Sequence, residues 1–286
     1  MILSINYMSG AGNLFAVIDN RSYSISAESY SELAPTLCSI SSTDGIHTEG
    51  LIIINNSDEL DFDVWFFNPD GSHSMMCGNG GRCSVRFAIN NGFFKKDATD
   101  TIEFSMAGSK YRATLNNANI KLQFPPPDQI NEFYELIINN LKLTGTYINV
   151  GSDHFVLNVD DNDLLNNTGF YDFDLLAIAP QIRKHSYFSP KGVNVNIYHI
   201  ENDNTILLRT FERGVEAETG ACGTGAIATA ISAYLEKNIS FPVTIIPTSK
   251  SFLIIDAVID NNDFQSLTLE GPAEYIGKTT LEINIK

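Results

Sequence analysis

The chain has 286 residues, 43% of them hydrophobic, which is enough for one large domain or two ordinary ones with real cores. Its net charge of −16, from 34 acidic against 18 basic residues, repels polyanions, and no Lys/Arg run offers an electrostatic footprint for nucleic acid. No apolar stretch approaches the ~20 residues that span a bilayer, and the opening MILSINYMSG lacks the basic region of a signal peptide. The expectation is a cytoplasmic protein with neither a membrane nor a nucleic-acid partner.

In chain order, YMSGAGNLFAVID (7–19) is the first strand-like segment, and its GAGNLF lacks the third small residue of a GxGxxG dinucleotide loop. GLIIINN and VWFFNPDG (50–71) come next as two apolar strands running into a polar loop, and MMCGNGGRC (75–83) opens a helix-compatible stretch. A strand series, TIEFSMAGSKYRATLNNANIKLQF, then ends in Pro125-Pro126-Pro127, a stiff run that suits a linker. From there the order recurs at an offset of about 140 residues. YINVGSDHFVLNVD (147–160) echoes 7–19, with Tyr147 matching Tyr7 and Phe155 matching Phe15. GVNVNIY and LLRTFERG (192–214) echo 50–71, GACGTGA (220–226) echoes the cysteine motif before another helical stretch, and PVTIIP to LEGPA repeats the strand series. Four weak matches in one order at one offset point to a duplication. The predicted fold is α+β: two homologous halves, each mostly antiparallel strands around one prominent helix. The first half is 1–122 plus a returning C-terminal strand at about 273–286, and the second is 123–272.

Four cysteines (Cys38, Cys77, Cys83, Cys222) make neither a disulfide framework nor a CxxC zinc site. A Cys77–Cys83 bridge within one helix is ruled out by geometry: six residues rise about 9 Å, beyond the ~7 Å limit on bridged Cα atoms. Cys83 and Cys38 read as packing residues. The phosphate-binding Cys-x5-Arg loop is not met, since Arg82 falls five residues after Cys77 rather than six. In each Cys-Gly-x-Gly stretch a thiol stands at a helix start, where the dipole and backbone N–H groups favour a thiolate and can hold a carboxylate. Two such loops facing each other would remove a proton from one face of a carbon and deliver one to the other.

NPDGSHSMMCGNGGRC (68–83), FSPKGVNVN (188–196) and ERGVEAETGACGTGA (212–226) closely resemble the signature stretches of the diaminopimelate epimerases, cofactor-independent amino-acid racemases, and the similarity runs end to end. The resemblance implies two pseudo-symmetric domains, each a strand barrel around a central helix. It places the active site in the inter-domain cleft, commonly in a homodimer. It also implies interconversion of LL- and meso-diaminopimelate without a cofactor or metal, on the route to lysine and to peptidoglycan precursors.

Carried over by position, Cys77 and Cys222 are the acid/base thiols, and His154 and Glu212 tune them. Gly78, Asn79, Gly223 and Thr224 cradle the α-carboxylate. Asn13, Asn68, Ser152, Asn194, Glu212 and Arg213 match substrate-holding positions, the Glu-Arg pair suiting the ammonium and carboxylate of the unreacting end. The sequence departs from the family at Leu14, across TDGIHTEG (43–50), at His73, and at Ser152-Asp153, where the family has Asn-Pro. These changes alter the distal pocket. A related racemase with relaxed or different substrate, such as glutamate or histidine, and a non-catalytic amino-acid-binding module are the alternatives.

Overall fold

The structure is a computed structural model describing residues 1–39, 48–73, 76–93, 101–165 and 168–283. Most of the divergent 43–50 segment and the last three residues of the tail lie outside the described residues. The chain divides into two units, one of Met1–Gln123 with the return from Glu270 onward, the other Phe124–Leu269.

The first unit begins with β1 (Ile2–Gly10), whose period-two burial puts Leu3, Ile5 and Tyr7 inside. It continues through β2 (Asn13–Asp19), α1 (Ala27–Ser39), β3 (Gly50–Asn55), β4 (Phe62–Phe67), α2 (Gly78–Asn91), β5 (Thr101–Met106), β6 (Ser109–Asn116) and β7 (Asn119–Phe124). The β1–β2 hairpin is antiparallel, β2–β3 parallel, β3–β4 antiparallel, β4–β5 parallel, and β5–β6–β7 antiparallel. On α1, Tyr30, Ala34, Leu37 and Cys38 recur at helical spacing and pack under β3 and β4, so Cys38 is core.

The second unit runs through β8 (Gln129–Ile138), β9 (Leu141–Asn149), β10 (Asp153–Asn158), α3 (Ala179–Arg183), β11 (Asn194–Asn202), β12 (Thr205–Glu212), β13 (Ala217–Thr219), α4 (Gly223–Lys237), β14 (Val243–Ile246), β15 (Leu253–Asp260) and the start of β16 (Asp263–Pro272), whose residues from Glu270 on belong to the first unit. Its pairings repeat the first unit's alternation: β9–β10 antiparallel, β10–β11 parallel, β11–β12 antiparallel, β12–β14 parallel, β14–β15 antiparallel. The analogy extends to the flanks, since β17 (Glu274–Glu282) lies antiparallel on β1 and β8 lies antiparallel on β9.

Each unit wraps its strands around one helix. α2 touches β1, β2, β3, β4 and β17, and α4 touches β9, β10, β11, β12, β14 and β15. A helix packed on all sides cannot be amphipathic. Accordingly every residue of α4 from Gly223 to Ala233 is buried, and the small side chains of GTGAIATAISA let strands approach it from several directions. In α2 the first seven residues, Gly78 to Ser84, are likewise all buried. The buried hydroxyl of Ser84 is satisfied by donating to Gly80 O one turn back, at 2.8 Å.

Candidate active site

The central helices begin alike. Cys77 is the N-cap of α2 with φ −118° and ψ 109°, and Cys222 is the N-cap of α4 with φ −113° and ψ 114°. In this extended cap conformation the side chain folds back over the first turn. Gly80 N–H donates to Cys77 Sγ at 3.3 Å and Gly225 N–H to Cys222 Sγ at 3.4 Å. Gly78 and Asn79, and Gly223 and Thr224, are thus the first helical residues, whose N–H groups have no carbonyl partner within the helix and mark the dipole's positive end. None of the four cysteines is in a disulfide; Cys77 is half-buried and Cys222 buried. The fully buried Cys83 has its thiol pushed strongly up by desolvation and is packing.

The first unit fixes its cap by close backbone approach. A Cβ at Gly10 would lie 2.7 Å from Asn79 O and 3.1 Å from Cys83 Sγ, so β1 can lie against the start of α2 only through glycine. Asn13, paired with Gly10 in the β1–β2 hairpin, is buried at the same end. Asn68 closes the loop after β4 by donating from Nδ2 to Ser72 Oγ at 2.8 Å. The fully buried Arg82 donates from Nη1 to Gly78 O (3.3 Å), from Nη2 to Asn79 Oδ1 (2.7 Å) and from Nε to Pro272 O (3.4 Å). Burial lowers its pKa only to about 10, so it stays charged, its donors turned onto the protein rather than onto a phosphate-sized cradle.

The second unit surrounds Cys222 with a chain of polar side chains. Thr224 Oγ1 lies 3.6 Å from Cys222 Sγ and 3.0 Å from His154 Nε2, and Ser152 Oγ lies 2.8 Å from the same nitrogen. On the ring's other side Asn196 Nδ2 donates to His154 Nδ1 at 3.0 Å, while Asn196 Oδ1 accepts from Thr210 Oγ1 at 3.0 Å. Because Nδ1 accepts, the proton of the neutral ring sits on Nε2, which donates towards the Ser152 and Thr224 hydroxyls; the hydroxyl proton of Thr224 is then directed at sulfur. Complete burial, with the Arg213 charge adding to it, lowers the His154 pKa to about 3, so the ring is neutral. Glu212, at the end of β12, bonds Thr219 Oγ1 and the Cys222 thiol. Its carboxyl is raised above the usual range, burial outweighing those two bonds. Gly225 is required by this network, since a Cβ there would lie 2.5 Å from Asn196 Oδ1.

Arg213 and Asn194 form the remaining cluster. Asn194 accepts Arg213 N–H on Oδ1 at 2.9 Å and donates from Nδ2 to Asp153 O at 3.0 Å, while Arg213 Nη1 reaches Asp153 Oδ2 at 2.7 Å. The structure therefore gathers Asn13, Asn68, Cys77, Gly78 and Asn79 in one unit, and Ser152, His154, Asn194, Glu212, Arg213, Cys222, Gly223 and Thr224 in the other. The sequence singles out neither Asn196 nor Thr219, and it marks Asp153 only as a departure from the family and Arg82 only as failing the phosphate-loop spacing. For Asn196 a signal existed, because it comes two residues after Asn194 in the strand NVNIY and so shares its face. Among the described residues no three His, Cys, Asp or Glu side chains converge as a metal-ligand set.

Two like-built units each hold a thiol at the start of a buried central helix, and the comparisons with known proteins define the class as an epimerase. The sequence model of the family described as diaminopimelate epimerase matches residues 5–123 and 146–274. The chain is 37% identical over 260 residues to the diaminopimelate epimerase of Aquifex aeolicus, covering 87% of this chain and 88% of that one. It is 33% identical over 284 residues to that of a Hydrogenobaculum species, covering 96% and 97%. The chain belongs to the diaminopimelate epimerase family. Its fold also matches a probable proline racemase from Agrobacterium radiobacter (TM-score 0.71, 14% identity, 99% and 93% covered). A phenazine biosynthesis protein of Bacillus anthracis shares it too (TM-score 0.69, 11% identity, 99% and 100% covered).

Proposed function

We propose that this protein interconverts LL- and meso-diaminopimelate by two-thiol proton transfer at one α-carbon. One sulfur, as thiolate, takes the α-proton and becomes a thiol. The carbanion, stabilised beside its carboxylate, then takes the proton of the other thiol on the opposite face, and the configuration inverts. Cys77 and Cys222 are the two thiols. The first-turn N–H groups of α2 and α4, at Gly78, Asn79, Gly223 and Thr224, receive the α-carboxylate as negative charge builds beside it. His154 orients Thr224, and Glu212, with its raised carboxyl pKa, exchanges a proton with Cys222. Asn13, Asn68, Ser152, Asn194 and Arg213 shape the rest of the site, with Arg213 meeting the unreacting end. The observation that carries this reading is the repeated cap: two cysteines outside any disulfide with matching φ and ψ, each sulfur taking the N–H three residues on.

The reading extends to a homodimer, as the family resemblance implies, and to the cytoplasm, whose reducing poise keeps two required thiols reduced. Among the described residues no helix is long and apolar enough to cross a membrane. Purified protein in D2O with LL-diaminopimelate, and separately with glutamate, aspartate and histidine, tests the reaction. Deuterium at the α-carbon with inversion of diaminopimelate, surviving dialysis against EDTA, is expected. Exchange of another amino acid alone refutes the substrate, and exchange of none refutes the reaction. Light scattering tests the dimer.

A further inference from the structure

The two central helices differ in charge at one buried place. Five residues after its N-cap cysteine α2 has Arg82, where α4 has Ile227, and both side chains are completely buried. A like-built helix thus accepts a hydrocarbon here, and burial favours one. The guanidinium has no such advantage. Among the described residues no carboxylate lies within ion-pair distance of it. It also folds back towards the helix N-terminus, meeting Asn79 and Gly78 three and four residues earlier, where the dipole disfavours a cation. A charge kept against desolvation and dipole alike points to a role outside the packing.

Its bonds go to the helix start. Nη2 donates to Asn79 Oδ1 at 2.7 Å, so the amide oxygen faces the arginine; the reversed amide would set N–H against N–H. Nη1 donates at 3.3 Å to the carbonyl of Gly78, the residue next to Cys77, and Nε at 3.4 Å to Pro272 O in the stretch that returns to this unit. The thiols whose charge bears on Arg82 are Cys83 and Cys77. Cys83 is buried with its thiol pushed strongly up, so it stays neutral, and the anion left to answer the cation is the sulfur of the half-buried N-cap. The other titratable groups of α2 and the strands around it are engaged or turned away. Arg86 donates to Ala118 O at the surface, and Tyr7 of β1 is a phenol raised further by burial. Asp19 of β2 is paired with Arg21, Asp63 of β4 takes the Ser105 hydroxyl, and Glu274, Lys278 and Glu282 of β17 are exposed.

We propose that Arg82 is a positioning residue for the Cys77 half of the reaction: its guanidinium fixes the Asn79 amide at the helix start and supplies the positive charge that favours Cys77 as a thiolate. This rests on the reaction proposed above. Arg82 acts through Asn79 and Cys77 and not by touching substrate. The second unit has no cation at the matching place; Ile227 stands there, and Cys222 is bonded by Glu212 instead.

The test uses the whole protein with Arg82→Met, a hydrocarbon of similar length, and Arg82→Gln, which keeps an N–H for Asn79 Oδ1 without the charge. Iodoacetamide alkylation followed across pH and mapped by mass spectrometry gives separate midpoints for Cys77 and Cys222. Solvent deuterium exchange of LL-diaminopimelate gives kcat and KM, and thermal melting checks that each variant is folded. In both variants the Cys77 midpoint should rise by about one pH unit or more, the effect of losing a neighbouring unit charge, with that of Cys222 unmoved. The acid limb of kcat/KM should move up with it, a loss of about tenfold on that limb. Arg82→Met, which also releases the amide, should raise KM about threefold, and Arg82→Gln should not. A Cys77 midpoint within about 0.3 unit of wild type in both variants, or both cysteines moving together, overturns the charge. Wild-type KM in Arg82→Met overturns the hold on Asn79. Failure of both variants to fold overturns the comparison with Ile227 on which the proposal stands. Absence of exchange by the wild type refutes the reaction instead, and the alkylation midpoints then judge Arg82 by themselves.

Discussion

Asn196→Asp replaces one atom in the relay beside Cys222 and should reverse its polarity. In the wild type the fully buried Asn196 gives an N–H to His154 Nδ1 at 3.0 Å, which places the ring proton on Nε2. A carboxylate of the same size can only accept, so Nδ1 must carry a proton and Nε2 must become an acceptor. The hydroxyls of Ser152 and Thr224, at 2.8 and 3.0 Å from Nε2, then donate to the ring, and the single hydroxyl proton of Thr224 is withdrawn from Cys222 Sγ. A hydrogen bond to an ionised acceptor is worth about 1.5–3 kcal/mol. At 3.6 Å the Thr224–Cys222 contact belongs at the weak end of that range, near one pKa unit of thiolate stabilisation. The expected result is a roughly tenfold lower kcat/KM in the direction that uses Cys222 as base, with the alkylation midpoint of Cys222 moved up by about one pH unit. Imidazole ¹⁵N spectra report the tautomer directly. Activity lost while Nε2 remains protonated, or a flipped tautomer with kcat/KM within about twofold of wild type, would refute the relay.

The same geometry fixes three further outcomes. His154 has a folded-state pKa of about 3 against an unfolded value of ~6.5, so on acidification the unfolded chain takes the proton first. The stability this group contributes is complete above pH ~6.5 and about 2 kcal/mol of it should be gone by pH 5; urea unfolding at the two pH values should show that loss in wild type and not in His154→Gln. Gly225→Ala puts a Cβ 2.5 Å from Asn196 Oδ1 and should cost about 1–3 kcal/mol with a clear loss of turnover, whereas Gly277→Ala, which meets nothing within 4 Å, should leave melting and rate unchanged. Equal melting temperatures for the two alanine variants would contradict this. Glu212→Gln keeps the shape but cannot accept a proton, so epimerisation should fall at least about 100-fold while alkylation of Cys77 is unaltered, a split that mass-spectrometric mapping can read.

The duplication was legible because it preserved side-chain pattern where packing demands it. Phe15 and Phe155, matched by offset alone, occupy corresponding strands β2 and β10 and are both buried. Strand order was less legible. The β2–β3 and β10–β11 pairs are parallel, and each is bridged by a long connection whose content differs, α1 in one unit and short helical turns with α3 in the other. Nothing local in a strand announces its partner across such a crossover. The thiols stood out because cysteine, glycine and a helix start coincide at both motifs. Asp153 stood out only as a departure from the family, because its partner Arg213 lies sixty residues on and nothing local announces the contact.

The repeated cap also shows where duplication stops. Both cysteines inherit the same backbone conformation and the same N–H bond from the glycine three residues on, so the helix start is the shared part. The side chains beyond the cap differ. After Cys77, Asn79 spends its Oδ1 on Arg82, a buried cation with no carboxylate within ion-pair distance among the described residues. After Cys222, Thr224 stands at the Asn79 position and joins a neutral histidine, with an acid bonded to the thiol itself. A buried positive charge favours a nearby anion, and a buried carboxyl beside a thiol offers that thiol's proton somewhere to go. Two identical thiols would invert a carbon equally from either side. On the reaction proposed above, two differently dressed thiols would each be matched to one stereochemical course, which a substrate presenting a different stereocentre in each direction of turnover requires.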